Sequence, residues 1–419
     1  MNKIVVRGGK PLSGSVEIGG SKNAALPLLF AGILTGEVCV FYALPRVSDV
    51  LITLEILRCL GARIRFAEGG AVTVDYTDIR PVLPSPTLTG AIRGSVYLLG
   101  AMLGRFGKAY LAGAGGCDFG LRPIDQHLAG FAALGAEEQT MDGVLTLSAE
   151  VLKSADITLK MPSVGATANL LMTATSAKGR TVIKNAAAEP HVGALCAFLT
   201  AAGAEIEGVD GDTLTVVGGK PLHGCSFTVI PDMIEAGTYL AAAMACGGRV
   251  TVKNTDPTHL GATLAAFDEM GATLLVGERE ITLVAPDTYR GISLETGPYP
   301  ALPTDLHPQL ATLFAIGGRA VGEGTMNERV WQSRFRYTEE LLKMGASLSV
   351  ADTVLTVRPA PLHATTVRAP DLRGGVALLL AALATEGQSI ITGAAVIGRG
   401  YEHLEAKLTA LGADVRVIG

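Results

Sequence analysis

The sequence predicts an α/β fold of two domains, each built from three copies of one repeated unit. Three observations support this prediction: the length of 419 residues, a short phrase that recurs six times, and the alternation of helix-like and strand-like segments. A chain of this length exceeds what one hydrophobic core usually organises, so two domains are expected. With 48% hydrophobic and 17% charged residues, the chain has enough apolar surface to fill two cores.

The recurring phrase is a Gly-Ala pair that follows an apolar residue. Its glycines, which lie 67 to 74 residues apart, are Gly61, Gly135, Gly203, Gly271, Gly345 and Gly412. Such near-regular spacing is typical of internal repetition. An amphipathic segment before each glycine, such as 336–344, predicts a helix that ends with the glycine in a left-handed conformation. The alternating residues that follow, such as 346–357, predict two strands joined by a polar turn.

Each copy also contains an almost wholly apolar segment rich in small residues, which predicts a buried helix. These segments are 24–35, 92–104, 165–177, 235–246, 306–316 and 374–385. The order within a copy is therefore buried helix, strand, amphipathic helix, strand, turn, strand. We assign three copies to a first domain, 22–230, and three to a second domain, 231–419, which the strand-like residues 1–21 complete.

Composition and motif content argue against several classes of function. The formal net charge is -5 and the basic residues are dispersed, unlike the basic patch of a nucleic-acid-binding protein. The six cysteines and seven histidines form no metal-binding motif, so neither a metal nor another cofactor is expected. The apolar runs are shorter than the about 18–20 residues of a membrane-spanning helix. The first residues lack the apolar core of a signal peptide, so we expect a cytoplasmic protein without membrane association.

Polar residues at the starts of the buried helices indicate where an anion could bind. Capping of the helix N-termini would by itself explain the Ser, Thr and Asp residues there. Parallel buried helices, however, would point several N-termini at one place, which favours a polyanionic ligand between the two domains. Lys22 and Asn23 stand at the first start, and Arg399 lies between two glycines, so both cations are candidates to contact a ligand anion. Asp305 and Asp371 each serve either as a cap or as a general base.

The segment 113–127, GAGGCDFGLRPIDQH, contains the candidate reactive thiol. Cys117 is surrounded by glycines and is followed five residues later by Arg122. A neighbouring cation lowers the pKa of a thiol and makes it more reactive. Cys196 and Cys246, by contrast, lie in alanine-rich helical segments and are expected to be small buried hydrophobic residues. An inert thiol in a linker is the alternative for Cys117.

Together these residues resemble the enolpyruvyl transferase family over essentially the whole chain. The matching motifs include GSKNAALPLL, the cysteine segment with R-P-x-D-x-H, PSVGAT, PDMIEAGTY, PALPTDLHPQ, APDLRG and RGYEHLEAKL. The resemblance implies two inside-out α/β barrel domains of three units each, with the active site in the cleft between them. The cysteine segment is absent from the branch that acts on 3-phosphoshikimate. Its presence implies that the enolpyruvyl group of phosphoenolpyruvate moves to the 3-hydroxyl of UDP-N-acetylglucosamine, releasing phosphate for peptidoglycan synthesis.

The resemblance also implies a role for individual residues, motif by motif. The residues implied to bind phosphoenolpyruvate are Lys22, Asn23, Arg122 and Arg399. Those implied to act in catalysis are Cys117, Asp305, Lys22 and Asp371, with Arg373 supporting the loop of Asp371. Those implied to bind the nucleotide sugar are Asn23, Arg93, Arg122, Pro123, Ile124, Asp125, Gln126, Ser163, Val164, Gly165, Asp305 and Val330. Among these, Cys117 is implied to protonate the methylene carbon, and Asp305 to accept the proton of the 3-hydroxyl.

The chain departs from the family pattern at several positions. Met233 stands where arginine is frequent, Gly398 where aspartate is usual, and His191 where glutamate is usual. The residues VWQSRF also replace a more aromatic motif. These departures leave two alternatives open: a family member that uses another hydroxyl acceptor, and a non-catalytic paralogue that binds nucleotide sugar.

Overall fold

The computed structural model describes residues 3–113, 124–209 and 211–419, with the backbone alone for Gln332. These residues form two compact units. Unit A comprises Gly20–Ile230, and unit B comprises Met1–Gly19 together with Pro231–Gly419. Helices alternate with strands throughout both units, which confirms the predicted α/β class.

Most helices form where the sequence predicts buried and amphipathic segments. The helix Pro86–Ala91 was not predicted, and the segment predicted at 92–104 divides into a 3-10 helix and an α-helix that begins at Tyr97. In chain order the α-helices are α1 (Lys22–Ala31), α2 (Ser48–Leu60), α3 (Pro86–Ala91), α4 (Tyr97–Phe106), α5 (Asp125–Ala133), α6 (Val164–Ala174), α7 (Pro190–Ala201), α8 (Met233–Cys246), α9 (Gly261–Met270), α10 (His307–Leu313), α11 (Tyr337–Lys343), α12 (Leu372–Ala384) and α13 (Leu404–Ala410). Short 3-10 helices cover Gly32–Thr35, Arg93–Val96, Pro257–Leu260, Thr304–Leu306, Gln332–Arg336 and Ala394–Arg399.

The strands are short and lie between these helices. In chain order they are β1 (Lys3–Gly8), β2 (Leu12–Glu17), β3 (Val38–Tyr42), β4 (Arg63–Phe66), β5 (Val72–Asp75), β6 (Lys108–Ala112), β7 (Glu137–Met141), β8 (Val144–Ser148), β9 (Asp156–Thr158), β10 (Gly179–Lys184), β11 (Glu205–Glu207), β12 (Thr213–Gly218), β13 (Ser226–Thr228), β14 (Gly248–Lys253), β15 (Thr273–Val276), β16 (Glu280–Val284), β17 (Tyr289–Arg290), β18 (Ser293–Glu295), β19 (Ala320–Val321), β20 (Gly324–Asn327), β21 (Ser347–Ala351), β22 (Val354–Arg358), β23 (Thr366–Arg368), β24 (Gly387–Thr392) and β25 (Asp414–Ile418).

The strands pair into sheets that repeat one pattern. The sheets of unit A have the strand orders β13-β3-β5-β4, β6-β8-β7 and β9-β10-β12-β11. The four-stranded sheets of unit B are β2-β14-β16-β15, β18-β20-β22-β21 and β23-β24-β1-β25, and β17 pairs with β19. In most copies a buried helix, a strand, an amphipathic helix and a two-stranded hairpin follow one another, as α1, β3, α2, β4 and β5 do.

The first two strands complete two different sheets of unit B. Strand β1 lies antiparallel between β24 and β25, with Val5 opposite both Ile390 and Arg416. Strand β2 runs parallel to β14 along its whole length. The last copy therefore takes its central hairpin strand from the other end of the sequence.

The nearly apolar helices form the centre of each unit. In unit A, α4 packs against both α1 and α6, and in unit B, α8, α10 and α12 pack against one another. Small residues permit this close packing. A Cβ on Gly100 of α4 would lie 2.5 Å from the carbonyl oxygen of Asn169 on α6. One face of each packed sheet covers these helices with buried Val, Ile and Leu side chains.

The six recurring glycines have the predicted left-handed backbone, with φ between 90° and 115°. A side chain at Gly61 would also collide with the Asp78 carbonyl oxygen, 2.4 Å from the Cβ position.

The helix predicted at 306–316 covers only His307–Leu313. Beyond Leu313, the next three N–H groups bond carbonyls three residues earlier, as in 3-10 turns. The start of this helix is set by Pro308. Pro308 has no N–H to bond the Thr304 carbonyl, so an α-helix cannot continue back through that residue. Instead, the His307 N–H bonds the Thr304 carbonyl in a 3-10 turn that contains Asp305.

Candidate active site

The first predicted site residues stand at the N-terminus of α1 in unit A. The Ser21 hydroxyl accepts a hydrogen bond from the Ala24 N–H at 3.4 Å, so Ser21 is the capping residue. Lys22 follows in the first turn, with its Nζ 3.4 Å from Oδ2 of the buried Asp49. The Lys22 side chain is 13% exposed. Its ammonium group is therefore fixed beside the positive end of a helix dipole, where an anion is favoured.

A second group of predicted residues gathers at the starts of α5 and α6. The Gln126 side chain accepts a hydrogen bond from the Met161 N–H at 3.3 Å. Ser163 caps α6 by accepting from the Ala166 N–H at 3.3 Å. These contacts bring the predicted segments 124–126 and 163–165 together. Arg93 begins a separate 3-10 helix in the same unit, and burial lowers the pKa of its guanidinium.

His127, which was not a predicted site residue, connects α5 to α6. Its Nδ1 lies 2.9 Å from the Asn169 amide nitrogen, whose other hydrogen bonds the Val96 carbonyl at 3.1 Å. The Asn169 oxygen accepts from the Gly100 N–H, so the amide orientation is fixed and Nδ1 is an acceptor. Burial lowers the pKa of His127 to about 4. His127 is therefore neutral near pH 7, with its hydrogen on Nε2.

Several predicted residues lie outside the described part of the chain: Cys117, Arg122 and Pro123. Of the two thiols predicted to be buried, Cys196 is buried and Cys246 is partly buried against the core of unit B. Burial raises the pKa of both Cys196 and Cys246 to about 12, so neither is a thiolate near neutral pH. The hydrogen bond from Cys225, the residue just before the adjacent strand β13, lowers the pKa of buried Cys39 to about 7. This pairing has no local signal in the sequence, because Cys39 and Cys225 are 186 positions apart.

The clearest charge arrangement in unit B surrounds Asp305. Its Oδ1 lies 2.9 Å from Nη2 of Arg334, and its Oδ2 lies 2.8 Å from Nη2 of Arg373. Both arginines are almost fully buried, whereas the Asp305 side chain is 25% exposed. Asp305 is therefore a carboxylate held at both oxygens and only partly buried. Arg334 lies in the motif SRFRYTEEL and was not among the predicted site residues.

Arg373 ties Asp305 to a buried set of hydroxyl and amide groups. Its Nη1 donates to the Tyr401 hydroxyl at 3.2 Å. Tyr401 in turn lies 2.8 Å from Thr238 Oγ1 on α8, and Gln309 on α10 donates to Thr238 at 3.2 Å. Although burial alone would lower the pKa of Arg373, Asp305 and other nearby acidic groups raise it. The guanidinium is permanently charged in this setting.

Asp371 caps a helix, which is one of the two roles predicted for it. Its Oδ1 accepts from the Arg373 N–H at 2.9 Å and the Gly374 N–H at 3.0 Å, at the start of α12. The side chain is buried. Asp232 caps α8 in the same way, accepting from the Ile234 and Glu235 N–H groups. Asp371 thereby also positions the backbone of Arg373, the residue predicted to support its loop.

Arg399 and Val330 occupy the ends of short segments in unit B. Arg399 ends a 3-10 helix, and Gly400 after it lies so close to α12 that a Cβ there would be 2.8 Å from Leu372 Cδ2. Gly400, one of the two glycines that flank Arg399, therefore permits close packing against α12. Val330 is exposed, and its N–H donates to Glu328 Oε1 at 2.9 Å.

The charged groups of each unit suit a different part of an acyl- or vinyl-transfer reaction. Unit A offers cations and helix N-termini, which stabilise anionic groups. Unit B offers a partly exposed carboxylate whose direction two guanidinium groups define, as a general base requires. Among the described residues, no group of three His, Cys, Asp or Glu side chains is placed to hold a metal ion. In the same residues, no helix combines the length and apolarity needed to cross a membrane.

Comparison with known proteins identifies close relatives over the full length. Residues 6–408 match the family described as EPSP synthase (3-phosphoshikimate 1-carboxyvinyltransferase). UDP-N-acetylglucosamine 1-carboxyvinyltransferase 2 of Clostridium acetobutylicum is 42% identical, with 99% of each chain covered. UDP-N-acetylglucosamine 1-carboxyvinyltransferase of Halothermothrix orenii is 39% identical, with both chains covered completely.

Solved structures show the same fold. The enolpyruvyl transferase NikO from Streptomyces tendae superposes with a TM-score of 0.89 at 28% identity, covering 99% of this chain and 98% of NikO. EPSP synthase from Acinetobacter baumannii superposes with a TM-score of 0.74 at 18% identity, covering both chains completely. The second likeness concerns the fold alone.

Proposed function

Because the chain belongs to the EPSP synthase family of enolpyruvyl transferases, we propose that it transfers the enolpyruvyl group of phosphoenolpyruvate to the 3-hydroxyl of UDP-N-acetylglucosamine. Phosphate is the second product, and the reaction is the first committed step of peptidoglycan synthesis. The observation that carries the proposal is the end-to-end match, at 42% identity, to a relative named for this reaction. Both proposed substrates are intracellular metabolites, which supports a cytoplasmic location.

In the proposed mechanism, Asp305 accepts the proton of the 3-hydroxyl as its oxygen attacks C2 of phosphoenolpyruvate. Cys117 gives a proton to the methylene carbon, so the intermediate is tetrahedral and carries both phosphate and carboxylate. Loss of a proton from the new methyl group then expels phosphate and restores the double bond. The ion pairs of Asp305 with Arg334 and Arg373 support its role, since they keep the carboxylate oriented.

Cationic residues stabilise the anionic groups of the substrate and intermediate in this proposal. Lys22, Arg122 and Arg399 bind phosphoenolpyruvate, and Asn23 contacts both the sugar and the intermediate. The fixed position of Lys22 at the start of α1 supports its part, because its ammonium group and the helix N–H groups favour the same anion. Asp371 assists proton transfer in the proposal, and it also sets the position of the Arg373 backbone.

The nucleotide sugar occupies the helix starts of unit A in the proposal. Arg93, Ile124, Asp125, Gln126, Ser163, Val164 and Gly165 line this part of the site, together with Arg122 and Pro123. The contact between Gln126 and Met161 supports this, since it joins the two segments that would flank the ligand. Asp305 and Val330 of unit B are proposed to reach the same ligand, so that catalysis takes place in a cleft between the units.

A phosphate-release assay with matched acceptors tests the proposal. Phosphoenolpyruvate is supplied with UDP-N-acetylglucosamine, UDP-N-acetylgalactosamine, UDP-glucose or 3-phosphoshikimate, and free phosphate is measured over time. We expect release with UDP-N-acetylglucosamine and much slower release with its 4-epimer. Release with another acceptor alone would favour the divergent enzyme suggested by Met233 and Gly398. Tight binding of nucleotide sugar without any release would favour the non-catalytic paralogue.

A further inference from the structure

We propose that Glu328 is a positioning residue for this reaction: it holds Arg334 in place, and Arg334 in turn orients the Asp305 carboxylate. Glu328 touches neither proposed substrate and acts only through its neighbours. The inference rests on the proposed function, because Asp305 is the proton acceptor whose orientation it explains.

Glu328 follows β20 and its side chain is 0% exposed. Its Oε1 accepts from the N–H groups of Val330 and Trp331, each at 2.9 Å. Its Oε2 accepts from Thr304 Oγ1 at 2.9 Å and lies 2.7 Å from His307 Nδ1. Four donors fill the capacity of an ionised carboxylate, which explains how this charge is tolerated in the interior. The carboxylate therefore joins the segment 304–307 to the segment 328–331.

The protonation state of His307 determines the direction of the hydrogen bonds at its two ring nitrogens. Burial lowers the pKa of His307, so its imidazole is neutral and carries one hydrogen. The Glu328 carboxylate can only accept, so that hydrogen is on Nδ1, and Nε2 accepts from the Tyr337 hydroxyl at 3.1 Å. Although burial opposes ionisation, the hydrogen bonds from His307, Trp331 and Thr304 lower the pKa of Glu328. The network has one consistent arrangement of donors and acceptors.

Two contacts lead from Glu328 to Arg334. The Thr304 hydroxyl gives its hydrogen to Glu328, so its oxygen can accept from Arg334 Nε at 3.1 Å. The backbone N–H of Trp331 donates to Glu328. The centroid of the Trp331 indole ring lies 4.3 Å from the guanidinium carbon of Arg334. Arg334 then donates from Nη2 to Asp305 Oδ1 at 2.9 Å. A continuous path of hydrogen bonds therefore runs from Glu328 through Thr304 and Arg334 to Asp305.

This path matters because a single arginine does not define the direction of a carboxylate. Arg334 holds Oδ1 of Asp305 and Arg373 holds Oδ2, so loss of the Arg334 contact removes one of the two guanidinium groups that define the direction of the carboxylate. A general base must lie within hydrogen-bond distance of the proton it takes. Misplacement of a reacting group by about 1 Å can slow a reaction by about 100-fold. Arg334 thus needs a fixed position, and Glu328 supplies it through Thr304 and Trp331.

The test compares three variants that break or keep this path. Thr304→Val removes the hydroxyl that joins Glu328 to Arg334, whereas Thr304→Ser keeps it. Tyr337→Phe is the matched control, since it removes a hydrogen bond at the far end of the network from Asp305. We expect Thr304→Val to lower kcat roughly 10- to 100-fold while the KM for phosphoenolpyruvate changes less than about twofold. Thr304→Ser should restore most of kcat, and Tyr337→Phe should retain it.

Glu328→Gln provides a second, direct measurement. A neutral amide cannot accept four hydrogen bonds, so kcat should fall at least as far as in Thr304→Val. Thermal unfolding measures the fraction of the variant that is folded under the assay conditions. Unchanged kcat in Thr304→Val, or equal losses in Thr304→Val and Tyr337→Phe, would overturn the positioning role. An unmodified protein that releases no phosphate with any acceptor would instead refute the proposed function. The two failures are therefore distinguishable.

Discussion

The Asp305 carboxylate forms a 2.8 Å ion pair with the Arg373 guanidinium, which joins the 3-10 turn before α10 to the first turn of α12. These two residues are 68 positions apart. The backbone of Arg373 is itself positioned by Asp371, the cap of α12. Asp305, the proposed proton acceptor, is therefore held by an arginine in the first turn of the buried helix α12. Its position depends on how α10 and α12 pack against each other.

Replacement of the proposed proton acceptor should remove most activity. Asp305→Asn keeps the size of the side chain but abolishes its basicity, and we expect kcat for phosphate release to fall roughly 10²- to 10⁴-fold. Glu323→Gln is the control, because Glu323 forms an exposed ion pair with Arg358 away from Asp305. A kcat within about tenfold of the unmodified protein would contradict the assignment of Asp305 as a general base.

The cysteine assigned as acid should be the site of alkylation by fosfomycin, an epoxide that resembles phosphoenolpyruvate. Intact-mass spectrometry after incubation should show one adduct, and Cys117→Ser should show none. Cys196 and Cys246 are poor competitors because burial raises the pKa of each to about 12. Cys59 is exposed, so persistence of the adduct in Cys117→Ser would point to that thiol and count against Cys117.

Loss of a partly buried lysine should destabilise unit B. Lys407 Nζ lies 2.6 Å from Glu235 Oε1, and Glu235 Oε2 accepts from the Gly19 N–H at 2.8 Å. Burial raises the pKa of Glu235, while Lys407 opposes that shift. Lys407→Met leaves an unpaired buried carboxylate, which should lower the free energy of unfolding by about 3–5 kcal/mol near neutral pH.

The pH dependence identifies the cause of that loss. As pH falls, Glu235 takes up a proton and the cost of the missing cation shrinks, so the difference in thermal midpoint should narrow. Lys220→Met is the control, since Lys220 pairs with Glu205 at 2.6 Å on the surface. An exposed pair of this kind contributes only about 0–1 kcal/mol. Equal destabilisation by the two substitutions would contradict the buried-pair explanation.

His127 should make unit A sensitive to mild acid. Burial lowers the pKa of His127 from its ordinary value of 6.5 to about 4, so the unfolded chain binds the proton more readily. The contribution of neutral His127 to the free energy of unfolding is therefore complete above pH 6.5 and is lost as pH falls towards about 4. The total loss is about 3 kcal/mol. His127→Gln keeps an acceptor for Asn169 but does not titrate. Urea unfolding should show a smaller loss of stability between about pH 7 and about pH 4.5 in the variant. Equal losses would exclude His127 as the cause.

The repeated architecture could be predicted from the sequence because its signals are local. Helix periodicity, apolar small-residue segments and glycines at helix ends all lie within about ten to twenty consecutive residues. The six recurring glycines adopt the predicted backbone, and helices form close to the predicted segments. The capping residues Ser21, Ser163 and Asp371 were also recognisable, since a cap depends on neighbours two or three positions away.

Contacts between segments that are far apart along the chain could not be predicted from the sequence. Asp305 and Asp371 have similar surroundings in the sequence, yet Asp371 caps a helix whereas two arginines hold the Asp305 side chain. The pairing of Glu328 with His307 and Thr304, and of β1 with β24, likewise has no local signal. Local patterns determine which helices and hairpins form, because helix hydrogen bonds, caps and tight turns involve near neighbours. Only tertiary packing decides which buried charges meet, because each must find its partner wherever the folded chain places one.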